Sequence, residues 1–155
     1  MITGLPLPPE AQTVLEEIMA ASEVESCEVT SVTRSPETQA RVMYDNLMGE
    51  GVGQGYAAQL ALYKDPGREV IQVWFVNQSK ARLQVIALMS DKIRQLGPEN
   101  VSKHCSTTRW VWDVGPSSIQ PGQHAAFAAA AVSHPKVTKF LQPPQDPAFH
   151  TEILR

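Results

Sequence analysis

Cysteine is almost missing from this chain. Cys27 and Cys105 are the only two, too few and too far apart in sequence for a disulfide framework. They fit a reducing compartment, or thiols with no covalent role. Aromatic residues are scarce, at 6%, and no run of Lys or Arg interleaves with them, which removes a base-stacking platform. With a net charge of −3, the electrostatic footprint of a nucleic-acid binder is also missing. No apolar run approaches the ~18 residues that span a bilayer, so no membrane insertion is expected. The opening "MITGLPLPPEAQ" has neither the basic region nor the apolar segment of a secretory signal. The expected product is therefore a soluble protein made in the cytoplasm, which something else must release if it acts beyond it.

What is present suits one domain over residues 1–155. A chain of 155 residues, 43% hydrophobic and 19% charged, can bury roughly 70% of its unfolded surface. Pro-Pro-Glu followed by Val14, Leu15, Ile18 and Met19 predicts a helix over 9–22. "SCEVTSVT" (26–33) alternates and is β-branched, which predicts a strand. Ser35 as N-cap, Pro36 and Glu37 start a second helix. "GEGVGQG" is a loop, followed by a short helix from Tyr56 to Tyr63. The stretch from Asp65 to Pro98 has a β-branched first half but also long helical spacing. A helix is expected over its last twenty residues, ended by Gly97-Pro98. "RWVWDV" is a strand running into a Gly-Pro turn, followed by an Ala-rich helix and a second short helix after Pro135. "AFHTEIL" closes the chain as a strand after the "PPQDP" turn. Helices with interspersed strands argue an α+β fold, a small antiparallel sheet flanked by helices.

Four histidines are candidates for chemistry. His124 and His134 lie in the Ala-rich helix and at its end, where surface or capping roles are expected. His104 and His150 differ, because each has acids near it in a strand context: Asp113 after His104, Asp146 and Glu152 around His150. Two histidines and a carboxylate are a ligand set for a catalytic zinc, with a further carboxylate as general base. On their own these pairs are a weak signal, and the simpler expectation is a hydrogen-bonded histidine at a loop–strand junction and a strand-end acid. Cys105 beside His104 offers a thiol hydrolase as a rival chemistry. No local signature of such an enzyme surrounds it, and a buried thiol is the simpler expectation.

The order of these pieces resembles a known family. "TSVTRSPETQARVMY", then "SKH" with a downstream acid on a strand, then "DPAFHTE" is similar to the zinc D-alanyl-D-alanine carboxypeptidase and L-alanyl-D-glutamate endopeptidase family. That family includes phage endolysins and bacterial wall peptidases, and the resemblance covers roughly residues 27–154. It implies a small sheet carrying Zn2+ on His104, Asp113 and His150. It also implies that Arg34 binds the substrate carbonyl or the developing oxyanion, with Gln39 supporting Arg34 or the substrate and Ser102 placed behind the ligands. Two departures stand out. Eight residues separate His104 from Asp113, more than the family usually has, and its usual Gly after the His is replaced within "CSTTRW". The family's catalytic acid lies three before the last histidine, where this chain has Pro147. The acid here is Asp146, four before, with Glu152 as a second candidate for general base.

The function these features imply is zinc-dependent hydrolysis of a peptide bond in the peptidoglycan stem peptide. Such a protein is expected to be a monomer, released through holin-made holes as a phage lysis enzyme and acting on peptidoglycan in the periplasm. The displaced acid also permits a catalytically silent zinc-binding module that recognises cell-wall peptides.

Overall fold

Proline sets the helix starts along much of this chain, and alternation sets its strands. The computed structural model describes residues 1–155. Its first half runs β1 (Ile2–Gly4), α1 (Pro9–Ala21), β2 (Cys27–Val32), α2 (Pro36–Met48), α3 (Tyr56–Leu62) and α4 (Gly67–Val76). Then come α5 (Arg82–Leu96), α6 (Pro98–Val101), β3 (Arg109–Val114), α7 (His124–Ser133), β4 (Val137–Leu141) and β5 (Phe149–Leu154). The fold is α+β, as the sequence predicts. No helix is long and apolar enough to cross a membrane. The chain divides into two compact units, one of residues 1–33 with 108–155 and one of residues 34–107.

The first unit is built on a five-stranded sheet in the order β1-β2-β3-β5-β4. β1 runs parallel to β2 and every other pair is antiparallel, so the sheet is mixed. One face is apolar: Val29, Trp112, Val114, Phe149 and Ile153 pack against Val14, Leu15 and Ile18 of α1 and Phe127 and Ala131 of α7. Burial of each such large side chain stabilises by about 1.5–3 kcal/mol. The α1 register follows from its spacing, since Val14, Leu15 and Ile18 share one side of a 3.6-residue helix.

Two β-bulges decide what the opposite face carries. Between β2 and β3 the register steps from Val29↔Val114 to Ser31↔Asp113, which leaves Thr30 as the extra residue. Strict alternation would put Ser31 on the apolar side with Val29; the bulge moves it beside Asp113. Between β4 and β5 the register steps from Val137↔Ile153 to Lys139↔Glu152, leaving Thr138 as the extra residue. Lys139 thereby leaves the face of Val137 and stands opposite Glu152. The result is a polar row across the sheet, Ser31, Asp113 and His150, with Glu152 and Lys139 beside it.

The second unit is helical, with its own core of Ala40, Met43, Val70, Ile71, Trp74, Met89 and Ile93. Ser35 caps α2 by accepting the Thr38 N–H at 3.2 Å, with Pro36 in the first turn, as expected. The stretch ending at Gly97 holds two helices, α4 and α5. They are parted at Asn77, whose N–H closes onto the Trp74 carbonyl and whose amide donates to the Val73 carbonyl at 2.8 Å. α4 is helical despite its β-branched residues, because Val70, Ile71 and Trp74 bury one helical side.

Two expectations need correction. The segment after Pro135 is strand β4, not a short helix, because its β-branched and aromatic residues complete the edge beside β5. The short β1 at the N-terminus was not foreseen from its three residues.

Candidate metal centre

β3 and β5 place Asp113 and His150 directly opposite each other on the polar face. Asp113 is flanked in sequence by Trp112 and Val114, whose side chains point into the apolar core on the other face. The alternation of the strand therefore spares its carboxylate the cost of apolar burial. His150, 0% exposed, is held at both ring nitrogens. Nδ1 lies 2.8 Å from Asp113 Oδ1, and Nε2 lies 3.0 Å from Glu152 Oε1.

Glu152 anchors this arrangement. It is 3% exposed, and its Oε2 accepts from Arg109 Nη1 at 2.8 Å while Lys139 Nζ lies 3.4 Å from Oε1. Burial pushes its carboxyl upward, but the hydrogen bonds from His150 and Arg109 and the Lys139 and His150 charges outweigh it. They hold the group below the usual carboxylate range. An ionised carboxylate only accepts, so each ring nitrogen faces an acceptor, Nε2 toward Glu152 and Nδ1 toward Asp113, and a cation seated between Nδ1 and Asp113 would take the place of the Nδ1 proton. Replacing Glu152 with Gln is expected to lower metal affinity about 10–100-fold, read by competition with a chelator.

Asp146 is also in the sheet unit, 2% exposed, in the turn between β4 and β5. Its N–H donates to the Gln142 carbonyl and its Oδ1 accepts from the Ala148 N–H at 3.1 Å. Pro147 occupies the intervening position, so the carboxylate is oriented by its own turn.

His104 belongs to the helical unit, just after α6, and is buried. The Ser-x-His spacing has a local use: Ser102 Oγ accepts the His104 N–H at 3.3 Å, and the Ser102 carbonyl accepts the Cys105 N–H at 2.9 Å. The Arg34 N–H donates to the His104 carbonyl at 2.6 Å, which ties the candidate arginine's backbone to the candidate ligand's. Gln39, 0% exposed, accepts from Arg34 Nη1 at 3.3 Å through Oε1 and donates from Nε2 to Tyr63 Oη at 2.9 Å. Gln39 thus supports Arg34. Burial pushes the Tyr63 hydroxyl above its ordinary value, opposed by the Gln39 hydrogen bond and Arg34, so it stays protonated at neutral pH.

The donor atoms of His104, Asp113 and His150 all lie within 4.8 Å of one another, a group that could hold a metal ion. Two imidazoles and a carboxylate suit a borderline divalent cation. Ser31, Arg109, Lys139 and Tyr63 escaped sequence reasoning. The first and third reach their places only through bulges, which carry no signature in a single sequence. His124 Nε2 lies 3.0 Å from the Pro116 and Ile119 carbonyls, and His134 Nε2 lies 2.8 Å from Glu17 Oε2 at the end of α7.

Cys105 is fully buried, and burial pushes its thiol up to about 11, against the pull of Arg34 and with a push from Glu99. A protonated thiol is no nucleophile at neutral pH. Iodoacetamide is expected to leave Cys105 unmodified in the folded protein at pH 7.5 and to label it once unfolded, read by mass spectrometry. The raised pKa also fixes a sign. The folded protein keeps a proton that the unfolded thiol loses near ~8.5. This contribution to stability is complete below that pH and is lost as pH rises toward 11.

No protein-family profile, no curated protein and no solved structure matches this chain.

Proposed function

We propose that this protein hydrolyses a peptide bond of the peptidoglycan stem peptide, using a zinc ion held by His104, Asp113 and His150. The observation that carries the proposal is the convergence of those three donors within 4.8 Å, on the residues that the family resemblance singles out. Two imidazoles and one carboxylate are a set that would hold zinc and leave a position for water or substrate. The proton on Nε2 of His150, held by Glu152, leaves the coordinating nitrogen correctly placed.

When bound, zinc supplies Lewis-acid polarisation of a peptide carbonyl and acidifies a water. Asp146 takes the proton from the attacking water and returns it to the departing amine. Glu152 is the weaker candidate for this task, because His150, Arg109 and Lys139 occupy its oxygens; its role is to orient His150. Arg34, steadied by Gln39, donates to the oxygen on which negative charge develops. Ser102 fixes the backbone of His104. The protein acts as a monomeric lysis enzyme of phage type, reaching peptidoglycan in the periplasm after release.

The test is zinc-loaded protein incubated with isolated peptidoglycan, counting newly released amino groups. The proposal expects release that a chelator stops and added zinc restores. No release, or release indifferent to chelation, would contradict it.

A further inference from the structure

The helical unit carries two aromatic rings that its own core does not cover. Tyr56 at the start of α3 and Phe75 near the end of α4 are 36% and 47% exposed, with ring centroids 5.2 Å apart and planes inclined by 32°. The buried Trp74 stacks on Tyr56 at 6.0 Å and holds that ring in place. The segments that carry the two rings, residues 51–63 and 70–79, contain no charged residue. Two polar groups beside the rings are unclaimed by the protein: the Tyr56 hydroxyl, and the amide oxygen of Gln78, whose Nε2 donates to the Phe75 carbonyl at 3.1 Å. These segments offer a charged ligand no counter-charge. The two rings by themselves also fall well short of the ~800 Å² per partner that a stable protein interface buries. What fits is a small neutral ligand with an apolar face and hydroxyl groups at its edges.

We propose that Tyr56 and Phe75 form a sugar-binding platform for a neutral β-linked hexosamine strand, the glycan of peptidoglycan. The C–H groups on one face of a pyranose ring carry partial positive charge and settle on the negative π face of an aromatic ring. The Tyr56 hydroxyl and the Gln78 amide oxygen then exchange hydrogen bonds with the sugar's hydroxyl and acetamide groups. Naming the ligand as wall glycan rests on the peptidase reading; the choice of a neutral sugar rests on the rings and the missing charge. The platform contributes affinity for the strand that bears the stem peptide, not chemistry.

Calorimetric titration of the metal-free protein with the tetramer of β-1,4-linked N-acetylglucosamine tests this apart from catalysis, since that probe has no stem peptide. Wild type is expected to bind one tetramer per chain. Phe75→Ala should weaken binding about tenfold, and Phe75→Leu nearly as much, because leucine keeps the apolar surface and loses the π face. Tyr56→Phe, which keeps the ring, should weaken it about threefold through the lost hydroxyl. Phe75 is exposed, so its variants leave the core intact, which the melting temperature checks. No saturable binding by wild type, or wild-type affinity in Phe75→Leu, would overturn the proposal. So would self-association of wild type, read by ultracentrifugation, that Phe75→Ala abolishes, because a second copy would then cover the rings. Tetramer binding without hydrolysis of peptidoglycan would leave the platform standing and sink the peptidase reading; hydrolysis without tetramer binding would do the reverse.

Discussion

Asp146→Asn is expected to lower kcat on peptidoglycan about 10²–10⁴-fold, the usual worth of a positioned general acid–base, while zinc content and melting temperature stay near wild type. Asparagine keeps the shape of the side chain, and its amide oxygen can still accept the Ala148 N–H that orients Asp146. What it cannot do is take a proton from water. Glu152→Gln should behave differently: zinc binding weakens first, and activity recovers when excess zinc is supplied. If Asp146→Asn kept full activity and Glu152→Gln lost it even at saturating zinc, the two acids would exchange roles.

The second large effect is expected at Asp113. Zinc sites contribute about 10–16 kcal/mol through about four ligands, so loss of one amounts to about 2.5–4 kcal/mol, or about 10²–10³-fold in affinity. Asp113→Asn keeps the side chain's volume on the polar face of β3 and removes the charge that balances the cation. A strand acid serving only as a hydrogen-bond acceptor for His150 Nδ1 would respond otherwise. The amide oxygen of Asn could still accept that bond, and zinc affinity would hardly change. Competition with a chelator of known affinity separates the two by orders of magnitude.

Much of this arrangement is legible in the sequence, because its signals are local. Pro36 after Ser35 marks a helix start, and the alternation of "RWVWDV" puts Trp112 and Asp113 on opposite faces. The carboxylate among tryptophans is thus a surface acid of a sheet whose other side is the core. The same logic pairs His150 with Glu152 two residues on, on one side of β5. Bulges broke the rule where it mattered. Thr30 and Thr138 each shift the strand by one residue and bring Ser31 and Lys139 to the polar face, where alternation alone would have put them in the core. The helix expected after Pro135 failed for a related reason. Strand β4 exists because β5 offers it an edge to pair with, a long-range cause that local spacing cannot report. The longer step from His104 to Asp113 is the passage from a buried turn after α6 through the first four residues of β3. Metal geometry constrains its ends and not its length.

The most direct measurement is the zinc content of purified, zinc-loaded protein, by atomic emission, for wild type and His104→Ala. His104 is the one ligand outside the strand pair, so it tests whether the three donors act as one site. The account predicts one zinc per wild-type chain, and loss of zinc from His104→Ala on dialysis that wild type survives. Full stoichiometric zinc in His104→Ala would contradict it.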